Sequence, residues 1–180
     1  GFFKLSPGSW LEVSASGISE VNKYWDLKKI VTQDRIKLSE AVALDQLDSH
    51  LTDAVLSRTL SDVPVGCFLS GGIDSTLVTA ILSAHTGQKV ETFTMGFDLP
   101  GYNEAEFAQK TATFLKTNHN EIYVGEREVL DVVDTLSKVW DEPFADASQI
   151  PTLLLSEFIK SSVSVALSGD GGDELFFASI

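Results

Sequence analysis

Cysteine is nearly missing from this chain: Cys67 stands alone among 180 residues. That excludes an intrachain disulfide. Cys67 lies in the apolar run Val63-Pro64-Val65-Gly66-Cys67-Phe68-Leu69, with no cation or histidine beside it to stabilise a thiolate. It therefore reads as a small buried hydrophobe rather than a nucleophile. Bases are also scarce, with 13 Lys and Arg against 26 Asp and Glu and a net charge of −13. A phosphate backbone demands clustered Lys and Arg, so nucleic acid is excluded as a partner. No apolar run approaches the roughly 20 residues needed to cross a bilayer, and a membrane partner is not expected. No basic-then-apolar leader opens the sequence, and its abrupt start carries the expectation that a further part precedes it. His85 and His119 have no second histidine or cysteine at metal spacing and read as surface or strand-edge residues. Trp10, Trp25 and Trp140 read as packing residues.

What is present has the balance of an ordinary globular protein, 43% apolar and 22% charged, enough for one well-buried domain with an appendage. Residues 1–26 look unlike the rest. Gly1-Phe2-Phe3-Lys4-Leu5 and Ser9-Trp10-Leu11-Glu12-Val13 flank Ser6-Pro7-Gly8, which predicts two strands around a turn. A third strand is expected over Val21 to Trp25. Leu44, Leu47, Leu51 and Val55 recur at helical spacing and predict an amphipathic helix over Ser39 to Leu60, its acids and His50 on a solvated face. From Val63 onward strands and helices alternate. Strands are expected at Val65–Leu69, Val90–Met95, His119–Val124 and Val163–Leu167. Helices are expected at Asp74–Ala84, Glu104–Lys116, Glu126–Val139 and Ile150–Lys160. Such alternation predicts an α/β fold, a parallel sheet with helices on both faces, preceded by a short β segment.

Ligands of an open parallel sheet bind outside the carboxyl ends of its strands. Two glycine-rich turns fall at such ends: Ser70-Gly71-Gly72-Ile73-Asp74-Ser75 and Ser168-Gly169-Asp170-Gly171-Gly172-Asp173-Glu174. In the first, paired glycines let an anion approach the backbone, and the following helix turns its first amides toward it. Ser70 and Ser75 offer hydroxyl donors. The turn has no lysine, so it is not the GxxxxGK[ST] loop. Asp74 is either an N-cap or, with a polyphosphate in the loop, a magnesium ligand. Asp173 on the second turn could share that ion, which would reconcile an acidic protein with an anionic ligand. The bland reading of the second turn is an acidic helix start after a flexible loop.

The strand-SGGIDS-helix unit resembles the pyrophosphatase loop of the N-type ATP pyrophosphatases (PP-loop proteins). Joined to Leu167-Ser168-Gly169-Asp170-Gly171-Gly172-Asp173-Glu174-Leu175-Phe176, the resemblance narrows to the asparagine synthetase (glutamine-hydrolysing) family and the related β-lactam synthetases. Trp140-Asp141-Glu142-Pro143-Phe144, followed by Asp146 to Pro151, looks like that family's substrate-side segment. Lys4-Leu5-Ser6-Pro7-Gly8 and Tyr24-Trp25-Asp26 resemble the closing strands of its glutamine-hydrolysing domain. The resemblance implies an adenine nucleotide alpha hydrolase-like fold. It also implies a tail of a glutaminase-type β domain at 1–26, a linker at 27–38 and a synthetase domain at 39–180.

The activity it implies is an ATP-dependent amide-forming ligase. A carboxylate, aspartate by default, is adenylated with release of pyrophosphate, and ammonia from glutamine then gives the amide. The implied nucleotide residues are Leu69, Ser70, Gly71, Gly72, Asp74, Ser75, Met95, Ser168 and Gly169. Asp74 and Asp173 would bind Mg²⁺, Asp170 and Asp173 would act at the reacting centre, and Glu142 would reach the substrate. Small molecules are the expected partners, the cytoplasm the expected location, and a homodimer is left open. The family's N-terminal cysteine and later lysine-bearing helices are not in the sequence, and Phe177-Ala178-Ser179-Ile180 replaces its Gly-Gly-Tyr continuation. The expectation is thus of a piece of a longer enzyme. Left open beside it are a non-catalytic nucleotide-binding remnant and an amidotransferase acting on another carboxylate.

Overall fold

The computed structural model describes residues 1–34, 36–97, 104–142 and 145–176. Pro143 and Phe144 of the substrate-side segment, and Phe177–Ile180, lie outside the described residues. The chain divides into two compact units, Gly1–Leu44 and Asp45–Ile180.

The first unit holds four two-residue strands and one short helix. Strand β1 (Ser9–Trp10) pairs antiparallel with β4 (Asn22–Lys23), and β2 (Val13–Ser14) with β3 (Gly17–Ile18). This corrects the expected hairpin around Ser6-Pro7-Gly8, because residues 1–5 form no strand. Gly8 (φ +67°) instead turns its carbonyl toward the amides of Tyr24 and Trp25, which donate to it at 2.9 and 3.2 Å. The tight turn lies at Ser14–Gly17, where the Ser14 hydroxyl meets that of Ser16 at 2.7 Å and accepts from the Ser16 amide. Within residues 27–38, Leu27–Val31 forms helix α1. The Asp26 carboxylate caps it by accepting from the Lys28 amide at 3.1 Å. Lys23, at 3.2 Å from that carboxylate, holds its pKa below the ordinary value. No described residue of this unit is buried. Trp10 and Trp25 are each 49% exposed, so neither is the packing residue expected.

Helix α2 (Glu40–Ser57) follows the predicted stripe over its last turns only. Val55 is buried and Leu51 packs beside it, while Leu44 and Leu47 are exposed. The remaining elements alternate as the sequence implies: β5 (Val65–Phe68), α3 (Ile73–His85), β6 (Glu91–Phe97), α4 (Ala105–Leu115), β7 (Asn118–Val124), α5 (Glu126–Val139), α6 (Gln149–Ile159), β8 (Val165–Leu167) and α7 (Gly172–Phe176). The four strands form one parallel sheet in the order β7-β6-β5-β8.

Strand alternation sorts the core into two faces. Cys67 and Leu167 point to the face covered by α2 and α3, packing with Val55, Ile81 and Leu82. Leu69, on the same side, packs on Ala108 and Ala112 of α4. Phe68, Phe93 and Ala166 point the other way, to Leu155, Phe158 and Ile159 of α6. Gly66 makes room there, because a Cβ on it would stand 2.7 Å from the Phe93 ring. Cys67 is the small core residue expected: it is fully buried, and burial pushes its thiol up to about 11.

The strand order decides where the site falls. From β5 the chain steps outward to β6 and β7, then returns to place β8 on the other side of β5. The order reverses between β5 and β8, the topological switch where an open α/β sheet forms its ligand crevice. The two glycine turns leave these two strands.

Candidate nucleotide site at the sheet switch point

The first turn is built by its own serines. The Ser75 hydroxyl, almost buried, accepts from the Ser70 amide at 3.2 Å and lies 3.0 Å from the Ser70 hydroxyl. The Ser70 hydroxyl also accepts from the Gly72 amide at 3.2 Å. Ser70 and Ser75 therefore shape the loop, in addition to the donor role expected of them. Helix α3 starts at Ile73, with Gly72 at its N-cap and no side chain capping it. Asp74 lies inside the first turn and is not the N-cap. The first amides of α3 are left to an outside acceptor, the condition for an anion site at a helix start.

Gly71 works differently from the expectation that it lines the cradle. Its φ is +83°, and a Cβ there would stand 2.7–2.9 Å from Phe107 and Ala108 at the start of α4. A side chain at Gly71 would run into α4. The second turn is fitted to the first just as closely. A Cβ on Gly169 would lie 2.7 Å from the Ser75 amide nitrogen, and one on Gly172 would lie within 2.4–2.7 Å of the Asp74 carboxyl group.

Between the turns opens a cavity of about 910 Å³. Ten of the twelve expected site residues line it: Leu69, Ser70, Gly72, Asp74, Ser75, Met95, Ser168, Gly169, Asp170 and Asp173. Gly71 and Glu142 are not among its lining residues. The substrate-side segment instead contributes Asp146 and Ser148, and Thr152 joins them from just beyond it, none singled out as a site residue from sequence. Ser148 holds the Asp146 carboxylate through its side chain and through its amide at 2.8 Å, which lowers the pKa. Glu104 and Thr94 were missed, while Glu174 was read as part of the second turn without a role. The signal for Thr94 was a polar residue in a buried strand next to Met95, since it is 3% exposed.

Six carboxylates line the cavity, from Asp74, Glu104, Asp146, Asp170, Asp173 and Glu174, and no Lys, Arg or His is among its lining residues. The Ser168 hydroxyl donates to the Asp170 carboxylate at 2.9 Å. A polyphosphate entering this space meets helix amides at one end and uncompensated negative charge around them. Among the described residues no three acidic, His or Cys side chains are grouped to hold a metal unaided. Asp74 and Asp173 both line the cavity, and a donor set of one or two protein carboxylates, completed by phosphate oxygens and water, is one that Mg²⁺ ordinarily takes.

The parallel α/β sheet, with a lysine-free glycine turn on a helix start at its switch point, defines the PP-loop, adenine nucleotide alpha hydrolase-like class. Two solved structures share this fold at a TM-score of 0.51. They are the NH3-dependent NAD synthetase of Campylobacter jejuni (20% identity, covering 73% of this chain and 58% of that one) and the glutamine-dependent NAD+ synthetase of Acinetobacter baumannii (22%, 84% and 30%). Residues 46–179 match the Asparagine synthase family. The chain belongs to that family. It is 40% identical over 163 residues to a Methanocaldococcus jannaschii protein named as a glutamine-hydrolyzing asparagine synthetase, covering 87% of this chain and 30% of that protein. It is 31% identical to Asparagine synthetase [glutamine-hydrolyzing] 1 of Bacillus subtilis (96% and 27%) and 35% identical to Asparagine synthetase B of Escherichia coli (73% and 26%). The chain thus spans less than a third of the length of these relatives.

Proposed function

We propose that this chain carries the nucleotide site of an ATP-dependent amide-forming ligase of the asparagine synthetase kind. The observation that carries the reading is the pairing of two glycine turns across one acidic cavity at the sheet switch point. Residues 39–180 correspond to the synthetase domain and residues 1–26 to the tail of a glutaminase-type β domain. A cytoplasmic enzyme acting on small molecules is the accompanying assignment. Consistent with it, no helix among the described residues is long and apolar enough to cross a membrane.

In this reading the amides at the start of α3 and the Ser70 and Ser75 hydroxyls receive the β- and γ-phosphates of ATP. Leu69, Met95, Ser168 and Gly169 form the wall for the nucleoside. Asp74 and Asp173 would hold Mg²⁺, which when bound neutralises the pyrophosphate as it departs. Asp146, Ser148 and Thr152 stand where the carboxylate substrate, aspartate by family default, would be oriented. One oxygen of that carboxylate attacks the α-phosphorus as the bond to the pyrophosphate oxygen breaks. Ammonia then attacks the acyl carbon, AMP leaves with the bonding electrons, and the ammonium proton passes to a carboxylate such as Asp170 or to water. The protein's part is chiefly positioning and charge compensation, as is general for transfer at phosphorus.

Binding of Mg-ATP by this chain, followed by calorimetry with and without Mg²⁺, tests the nucleotide site. Heat of binding that requires Mg²⁺ is expected, and its absence would remove the assignment. Exchange of labelled pyrophosphate into ATP, dependent on added aspartate, tests the adenylation step. Exchange driven by another carboxylate would overturn aspartate and keep the site.

A further inference from the structure

A second cavity, of about 530 Å³, lies at the opposite edge of the sheet, and its chemistry is the reverse of the first. It is formed where α4 ends and where β6 and β7 begin. Lys89 reaches it from before β6, Lys116 and Thr117 from the α4–β7 connection, Gln109 and Thr113 from α4, and His119 from β7. Glu121 is the one carboxylate among its lining residues.

The floor is organised by a polar network between neighbouring strands. Thr92 is fully buried, and its hydroxyl lies 2.8 Å from that of Thr117 and 3.0 Å from Nδ1 of His119. Nε2 of His119 is buried, without a hydrogen bond inside the ordinary limit, and stands 3.4 Å from Glu121. The Tyr123 hydroxyl donates to that carboxylate at 3.0 Å.

The wall bears its own mark. Lys116 has φ +58°, the one non-glycine left-handed residue among the described residues. Helices commonly close on glycine at this place, and an L side chain there costs about 1 kcal/mol. The Lys116 and Thr117 amides close the end of α4 on Ala112 and Thr113, so these last carbonyls have their partners within the chain. The left-handed turn brings Lys116 into the lining of the cavity, where Lys89 is the other lysine.

We propose that this cavity is a second anion site, taking a small phosphate-class oxyanion between Lys89 and Lys116, with the Gln109 amide as a further donor. Two lysines and a side-chain amide suit a compact tetrahedral anion. The site needs no divalent cation, unlike the acidic cavity, and it does not rest on the adenylation reading.

The test uses the ¹⁵N-labelled chain in EDTA, titrated with potassium phosphate against potassium chloride of equal ionic strength. Saturable shifts at Gln109, Lys116, Thr117 and His119 are expected, with a Kd on the order of 1 mM. The exposed double variant Lys89→Gln, Lys116→Gln should weaken this by about tenfold or more, whereas Asp74→Asn should leave it unchanged. Glycerol phosphate identifies the source: binding tighter than phosphate assigns a phosphomonoester, and weaker binding assigns the free ion. Shifts confined to residues 70–76, shifts that do not saturate, or an unaltered affinity in the double variant would each overturn the proposal.

Discussion

At the carboxyl ends of the strands six carboxylates surround one cavity, while at the amino ends two lysines and an imidazole line the other. The two share a sheet and strand β6, yet they are built in different ways. In a parallel sheet every strand runs into its helix at the same edge, so the helix starts gather there and their amides attract anions. Acids at that edge oppose the amides unless a cation intervenes, which is why the proposed function has Asp74 and Asp173 hold Mg²⁺ there. Helix ends gather at the other edge, where lysines are favoured by the dipole, and phosphate there would meet its charge directly. The difference teaches that an acidic protein can present phosphate with two separate environments, and that only one of them should depend on a divalent ion.

The most severe way to break the comparison is Gly71→Val. The substitution forces a β-branched residue to φ +83° and drives it into the start of α4. A loss of about 3 kcal/mol or more is expected, with both ends of the sheet affected. Urea unfolding followed by circular dichroism measures it, and a stable variant that merely lost nucleotide would restore the cradle role to this glycine. Next in size, Asp74→Asn or Asp173→Asn should weaken Mg-ATP binding by at least about tenfold, roughly 1.4 kcal/mol. Their melting temperature without nucleotide should stay within a few degrees of the parent. EDTA should act likewise at this end and spare phosphate at the other, a contrast that calorimetry resolves.

A smaller effect is expected from Ser75→Ala. The Ser70 amide would lose its acceptor and the loop its cross-bond, lowering stability by about 1 kcal/mol. Nucleotide affinity should fall with it, as a denaturation series run with and without Mg-ATP would record. The smallest effect concerns His119, whose pKa burial pushes below the ordinary 6.5, with Glu121 opposing the shift. A base with a lowered folded pKa is protonated first in the unfolded chain, so stability should fall as the pH drops below about 6.5. In His119→Gln this part of the acid dependence should be absent. An identical pH profile in the variant would show that the carboxylates alone set it.

Much of the acidic site was legible because its signals are local. Glycine pairs, serines and acids at the ends of two apolar strands name the turns directly, and eight residues marked in those turns line one cavity, whereas Leu69 and Met95 were marked only by the family resemblance. Gly71 was legible as a special residue but not in its task, since the constraint comes from Phe107 and Ala108, more than 30 residues further on. Asp146 and Ser148 were recognisable only as part of a segment, and Thr152, one residue beyond it, not at all. Glu142, the more conspicuous acid, is exposed and outside the cavity lining. The N-terminal strands were misread because both flanks of Ser6-Pro7-Gly8 are apolar and turn chemistry favoured a hairpin there. Pairing between residues 8–10 and 22–25 is a non-local choice that no short pattern reveals.

By itself, the sequence determined the alternation of strand and helix, the two glycine turns, the buried Cys67 and the acidic charge. Each of these follows from periodicity, steric freedom or side-chain chemistry within a few residues. Only the tertiary structure decided that β8 lies beside β5, and so that the two turns face one another across one cavity. It also gathered Lys89, Lys116 and His119 at the other edge. The physical reason is the same in both cases. Strand order and helix packing bring together residues up to about a hundred positions apart, and that choice is made by burial of the two sheet faces rather than by any local preference.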